Sequence, residues 1–267
     1  MSTTTPTILQ VLPRLQSGGV ERGTIEMTEA IRLSAMKPLV ASAGGALVPH
    51  ISHAGGEHIT LPLASKNPFT MHANIGRLAQ LIRQREVDLI HARSRAPAWS
   101  AYYAAKRAGI PFLATWHGIY GTEGLFKKRY NEVMLKGELT IAVSKFVFDH
   151  IVREYGADPS RLRLIPRGVD SRVFSAEKAN PGRIAQLTKS WMLPDEPVPV
   201  LLCPGRINRN KGHEVLIDAL AELSDMRFLC MIVGSDHGMR ISVNRWRRRS
   251  SPPASKARCA SATRRRS

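Results

Sequence analysis

The chain has 267 residues, 43% of them hydrophobic, with a formal net charge of +18. That length suffices for one large core or two smaller ones. No apolar run approaches the ~20 residues a membrane-spanning helix needs. Three widely spaced cysteines (Cys203, Cys230 and Cys259) argue against a disulfide framework or a zinc site. The charge is uneven: ten of the 39 basic residues and none of the 21 acidic ones fall after Met239, leaving +8 on residues 1–239. A moderately basic body suits anionic nucleotides or an anionic membrane surface. A polar start without an apolar signal core makes the cytoplasm the expected location, with peripheral contact with the inner face of the membrane allowed.

In chain order, strand-like and helix-like segments alternate. Residues 8–12 read as a strand, followed by the Gly18-Gly19 turn and a helical pattern over 20–36. Strands are expected at 39–42 and 57–61, a helix at 75–85, a strand at 87–91, a helix at 98–108 and a strand at 112–115. An amphipathic pattern at 126–136, carrying Lys127, Lys128, Arg129 and Lys136, reads as a solvated helix face, with contact to an anionic membrane as the alternative. Strands at 139–143 and 162–165 flank a helix at 145–155. Short apolar strands separated by helices predict a parallel sheet covered on both faces, with ligands at the carboxyl ends of its strands. The expected division is a first domain at 1–175, a linker at 176–197 with one short helical pattern, a second, partial domain at 198–239, and a disordered basic tail at 240–267.

The most chemically pointed segment runs from Pro199 to Gly212: an apolar strand, a turn with Arg206, Arg209 and Lys211, and a helix opening at Gly212. Helix-start N–H groups and adjacent cations favour a diphosphate at such a turn. It matches neither the Walker loop nor G-x-G-x-x-G, so a surface turn is the plain alternative. If it is a phosphate site, Arg206 and Lys211 are the ligands, and Gly205 and Gly212 allow close backbone approach. Gly18-Gly19 opens the first helix and offers backbone N–H groups to an anion or a sugar oxygen, or is simply a tight turn. His117 follows an apolar strand between small residues, and His91 ends another strand with Arg93 and Arg95 just after it. His117 ranks above His91, because flanking glycines leave room for a ligand.

Together these segments resemble family 4 of the retaining glycosyltransferases, which fold as two Rossmann-like domains in the GT-B arrangement. The resemblance covers roughly residues 7–236 and rests on Gly18-Gly19-Val20-Glu21, the 91–97 run from His91 to Pro97, Thr115-Trp116-His117-Gly118, Ala142-Val143-Ser144-Lys145, Ile165-Pro166-Arg167-Gly168-Val169-Asp170 with Phe174, and Gly205-Arg206 with Lys211-Gly212. It implies transfer of a sugar from a nucleotide-sugar donor to a glycan or lipid acceptor, lipopolysaccharide or another envelope glycan by family habit, with retention. It also implies that Arg206 and Lys211 grip the donor diphosphate without a metal or other cofactor, that Gly19 contacts the donor, and that His117 touches the transferred sugar. Glu21, His91, Arg93 and Arg95 are the acceptor-side candidates. Arg167 departs from the pattern, which usually has Asn there. The family's paired glutamates, eight positions apart on a later helix, have no counterpart in residues 240–267, which contain no Asp or Glu. The expectation is therefore a shortened donor domain, a tail produced by a shifted reading frame, and impaired turnover. The alternatives are a non-catalytic module that binds an acceptor or partner, and nucleic-acid binding confined to the tail.

Overall fold

The alternation of short apolar runs and helical stretches builds two parallel sheets. The computed structural model describes residues 5–121, 124–172, 174–207, 211–223, 226–234 and 258–262. It divides into two units, Met1–Val169 and Asp170–Ser267. The division falls after Val169 rather than after Ser175.

The first unit holds β1 (Thr7–Val11), α1 (Gly19–Leu33), β2 (Lys37–Ser42), α2 (Val48–His53), β3 (Glu57–Thr60), α3 (Pro68–Gln84), β4 (Leu89–Ala92), α4 (Arg95–Ala108), β5 (Phe112–Trp116), α5 (Leu125–Asn131), β6 (Leu139–Ala142), α6 (Lys145–Tyr155) and β7 (Leu162–Leu164). All seven strands are parallel, in the order β3-β2-β1-β4-β5-β6-β7. Central strands buried on both faces must be apolar along most of their length. Accordingly Leu9, Val11, Ile90, Ala92, Ala114 and Trp116 are all 0% exposed. On α4 the buried residues Ala98, Ala101, Ala104 and Ala105 bring the helix backbone close to the sheet.

In the middle of β1 sits a polar residue, Gln10, fully buried, whose Nε2 donates to Thr28 Oγ1 at 3.0 Å and to the Thr24 carbonyl at 3.3 Å. Those two bonds pin α1 against the sheet and so fix where its N-terminus lies. Ser144 caps α6 by accepting from Val147 N–H at 3.2 Å, and that helix spans the expected residues.

Two elements depart from expectation. Helix α3 begins at Pro68 and not near residue 75, because Asn67 accepts hydrogen bonds from the Phe69 and Thr70 N–H groups and Pro68 presets the first helical φ. The 126–136 pattern splits into α5 and a 3-10 turn, Glu132–Leu135. Neither start nor split follows apolar periodicity.

The second unit contains α7 (Pro181–Ser190), β8 (Val200–Pro204), α8 (His213–Ala221), β9 (Leu229–Val233) and β10 (Arg258–Ala262). Its three strands are parallel in the order β10-β9-β8. Phe228, Cys230 and Ile232 form its core, with Cys203, Leu216 and Leu220 packed against them. Strand β10 belongs to the stretch expected as a tail; its backbone takes up the open edge of β9, which accepts any extended segment. Residues 240–257 and 263–267 of that stretch lie outside the described residues.

Burial predicts which strand carries the stability of the first unit. Leu9→Ala on the central β1 should cost about 2–5 kcal/mol, and Leu164→Ala on the edge strand β7, 45% exposed, about 0.5 kcal/mol, as measured by urea denaturation.

Candidate active site

The first sheet has one point where the direction of strand addition reverses. From β1 the chain builds outward to β2 and β3, then returns to place β4 on the other side of β1. Such a switch leaves a crevice outside the carboxyl ends of the two central strands. The loop after β1 and the start of α1 enter it from one side; Arg93 and Ser94, directly after β4, enter from the other. A cleft of about 320 Å³ lies here, lined by Leu12, Pro13, Arg14, Val20, Glu21, Ala64 and Ser94.

Gly18 caps α1 at φ 147°, a backbone that favours glycine, and no side chain caps the helix start. The Glu21 side chain folds back over this turn, so a Cβ on Gly18 would lie 2.6 Å from Glu21 Oε2. One face of α1 is kept bare by Gly19 and Gly23. A Cβ on Gly19 would lie 2.6 Å from Arg167 Nη1, and one on Gly23 would lie 2.9 Å from both Arg167 Nη2 and Arg93 Nη2. Two guanidinium groups therefore meet over the first turns of α1. The carboxylate facing them is Glu26, 3.7 Å from Arg167 Nη2. Arg93 is 4% exposed, its Nε is buried with no hydrogen-bond partner among the described residues, and its pKa is held down to about 10. Burial is the main cause and repulsion from Arg167 the next; Glu26 works in the opposite direction.

His117 stands at the end of β5 beside this pair. Both ring nitrogens are buried without a hydrogen-bond partner among the described residues. Burial, then Arg93 and Arg167, push its pKa down to about 3. The imidazole is thus neutral at physiological pH: one nitrogen is available to donate and the other to accept.

Two of the acceptor-side candidates are engaged elsewhere. His91 lies within β4, 3% exposed, with Nε2 2.7 Å from Thr115 Oγ1, so it braces β4 against β5 below the crevice. Burial, then Arg93 and His117, hold it neutral as well. Arg95 donates from Nη1 to Asn131 Oδ1 at 2.7 Å and stacks 4.0 Å from the Tyr120 ring centroid. Tyr120 in turn packs on Trp116 at 5.0 Å, so Arg95 supports the loop that carries His117. Gly23 and Glu26 were not singled out from sequence, yet with Gly19 they form an i, i+4, i+7 stripe that helical spacing makes visible. Arg167 stood out only as a departure from a pattern; its reach to α1 depends on the return of the chain after β7.

In the second unit, β8 is followed by Gly205, with φ 153°, whose N–H donates to the Val233 carbonyl at 2.8 Å. The Lys211 stem lies over Gly205, its Cδ 3.5 Å from where a Cβ would stand. Gly212, at φ 67°, opens α8 without a side-chain cap. Arg206 and Lys211 are both exposed, and Glu214 sits in the first turn of α8. The strand–turn–helix therefore brings Gly205, Lys211 and Gly212 together as the spacing predicts, while residues 208–210, Arg209 among them, lie outside the described residues. Gly234 was missed: a Cβ there would collide with the Gly205 carbonyl oxygen, so the ends of β8 and β9 approach too closely for any side chain.

Among the described residues no helix is long and apolar enough to cross a membrane, and no group of three or more His, Cys, Asp or Glu side chains could hold a metal ion.

The model of Glycosyltransferase Family 4 matches residues 17–173. D-inositol 3-phosphate glycosyltransferase 2 of Catenulispora acidiphila is 26% identical over 228 residues, covering 81% of this chain and 51% of the relative. The chain spans about half the length of the curated relatives it matches. Among solved structures, a glycosyltransferase from Rickettsia africae is 37% identical with a TM-score of 0.81, covering 97% of this chain and 69% of that one. HepE of Anabaena, in complex with UDP-glucose, shares the fold at a TM-score of 0.76 and 19% identity, with the same coverage. The architecture is α/β of GT-B type.

The depressed imidazoles predict acid sensitivity. A folded-state pKa of about 3 against 6.5 unfolded means that the unfolded chain binds the extra proton between those values. Stability is therefore full above pH 6.5 and falls by up to about 1.4 kcal/mol per pH unit below it. His91 adds to the slope in the same direction. His117→Gln should make the urea midpoint less sensitive to pH between 7 and 5 without abolishing the dependence.

Proposed function

The chain belongs to glycosyltransferase family 4, and from that premise we propose that it transfers a sugar from a nucleotide-sugar donor to a glycan or lipid-linked acceptor with retention of configuration. The observation that carries this reading is the β8–α8 turn. There the Lys211 stem folds over Gly205 just before an uncapped helix start, and Arg206 is exposed in the same turn. A diphosphate fits that chemistry, since helix-start N–H groups and two side-chain cations bind its oxygens with charge-assisted hydrogen bonds.

In this reading Arg206 and Lys211 hold the donor diphosphate and stabilise the negative charge that grows on the leaving nucleotide as the glycosidic bond breaks, with no metal ion required. His117, kept neutral, makes a hydrogen bond to a hydroxyl of the transferred sugar without placing a full positive charge next to an oxocarbenium-like centre. Gly18 and Gly19 present backbone to the sugar-bearing ligand, and Glu21 lies at the mouth of the same cleft. HepE binds UDP-glucose, which makes UDP-glucose the first donor to try.

A lipid-linked acceptor would be met at a membrane surface. Phe126, 95% exposed on α5 beside Lys127, Lys128 and Arg129, supports peripheral contact with anionic lipid.

Isothermal titration of the full chain with UDP-glucose tests the donor site. Arg206→Ala and Lys211→Ala should each weaken binding roughly tenfold to a hundredfold, the equivalent of about 1.5–3 kcal/mol per charge-assisted contact. Unchanged affinity in both variants would refute the assignment.

A further inference from the structure

We propose that a second cleft of the first unit, outside the crevice, binds one sugar ring of an extended glycan. That this glycan is the acceptor rests on the proposed function; the preference for a sugar ring rests on the cleft itself. The cleft encloses about 460 Å³ between α3, α4 and the end of α5, and Lys66, His72, Trp99, Ser100, Tyr103 and Tyr130 are among its lining residues. It adjoins the crevice along the chain: Ala64 and Ser94 line the one, Lys66 and Trp99 the other.

Three observations define its occupant. The first is a row of aromatic rings. Trp99 lies 6.3 Å from Tyr103 and 6.0 Å from Tyr130 between ring centroids, at interplanar angles of 27° and 29°. Rings this close leave no slot for a flat base to slide into, so a ligand must lie against the row. The second is that the row is fixed before any ligand arrives. Trp99 Nε1 donates to the Tyr130 carbonyl at 3.1 Å, and the buried Ser100 donates from Oγ to the Met71 carbonyl at 2.8 Å. Walls ordered in advance lower the entropic cost of binding. The third is an unanswered polar atom. The Tyr130 hydroxyl is buried without a hydrogen-bond partner among the described residues. A buried hydroxyl ordinarily has a partner, and a ligand hydroxyl in the cleft supplies one.

A pyranose has the two sides these features ask for. Its C–H face packs on the electron-rich face of an aromatic ring, and its hydroxyl edge exchanges hydrogen bonds with Tyr130, His72 and Lys66. No carboxylate lines the cleft, and Lys136 Nζ already stands 5.3 Å from the Trp99 ring centroid and 6.0 Å from that of Tyr103, so a cationic ligand is disfavoured. An acyl chain is the rival, because Phe126, 95% exposed, lies one helical turn from Tyr130. Such a chain would leave the Tyr130 hydroxyl unanswered, and a sugar ring answers it. Ala64 and Lys66 are two residues apart, a span of at most about 7 Å, so one oligosaccharide can occupy both clefts.

Saturation-transfer NMR and tryptophan fluorescence of the full chain test this with cellotriose, maltotriose and chitotriose, and with glucose, uridine and phosphatidylglycerol vesicles as contrasts. At least one trisaccharide should bind more tightly than glucose, and neither uridine nor vesicles should displace it. Tyr103→Ala should weaken that trisaccharide about tenfold and Tyr130→Phe about fivefold. Both variants should bind UDP-glucose as the wild type does. Tyr130→Phe keeps the ring and removes a hydroxyl that has no partner among the described residues, so its urea midpoint should not fall. Tyr103, 39% exposed, gives a second variant that keeps the fold. The proposal is overturned if no trisaccharide binds more tightly than glucose, or if both variants bind it as tightly as the wild type. Displacement by uridine or by the vesicles would overturn it as well, by making the cleft a base site or a lipid site. UDP-glucose binding that depends on Arg206, in a chain that binds no trisaccharide, would sink the cleft and leave the proposed function standing. Trisaccharide binding that depends on Tyr103, without any UDP-glucose binding, would keep the cleft and remove the reading of its glycan as an acceptor.

Discussion

The pairing of β1 with β4 is the constraint on which the rest of the first unit depends. Leu9 opposite Ile90 and Val11 opposite Ala92 join two strands far apart in sequence, and both pairs are fully buried. That single register puts the start of α1 beside Arg93 and sets the crevice between them. It also aligns Gln10 with His91 on one face of the sheet. Gln10 holds α1 through Thr24 and Thr28, and His91 holds β5 through Thr115, so the polar interior beneath the crevice is hydrogen-bonded to the elements that shape it. A buried polar group that finds a partner rigidifies its neighbours, and here the rigid parts carry the functional backbone.

Above that row the electrostatics run against folding. Arg93 and Arg167 repel each other, His117 and His91 are each kept neutral chiefly by burial, and Glu26 supplies the carboxylate on the other side. An arrangement of this kind holds unfavourable electrostatic energy in the folded state. The glycine stripe of α1 is the steric counterpart. Gly19 and Gly23 leave the space the guanidiniums occupy, and any side chain there would have to displace flexible Arg ends.

Much of this was legible from local pattern. The strand–helix alternation, the helix over 145–155, and the association of Gly205, Lys211 and Gly212 around the start of α8 all follow from spacings within a dozen residues. Other placements depend on caps and on distant packing. The first two turns of α3 carry no apolar periodicity, and their signal was the Asn67-Pro68 cap. His91 and His117 look alike in sequence, each at the end of an apolar strand. They differ in depth: His91 lies within β4 and bonds Thr115 of β5, whereas His117 lies one residue past the end of β5. Arg95 looks like a ligand beside Arg93, yet helix α4 turns it toward Asn131 and Tyr120.

The amino-acid sequence by itself determined the period-two and helical patterning, the glycines at the helix starts, the cations of the β8–α8 turn and the charge asymmetry along the chain, because each is a property of neighbours whose geometry the backbone dictates. Tertiary structure alone decided that Arg167, more than 140 residues from Gly19 and Gly23, would meet Arg93 over them. It also decided that His117 would be stripped of its proton by burial and by that pair. Those outcomes turn on strand order and on dielectric surroundings, which arise only when distant segments pack.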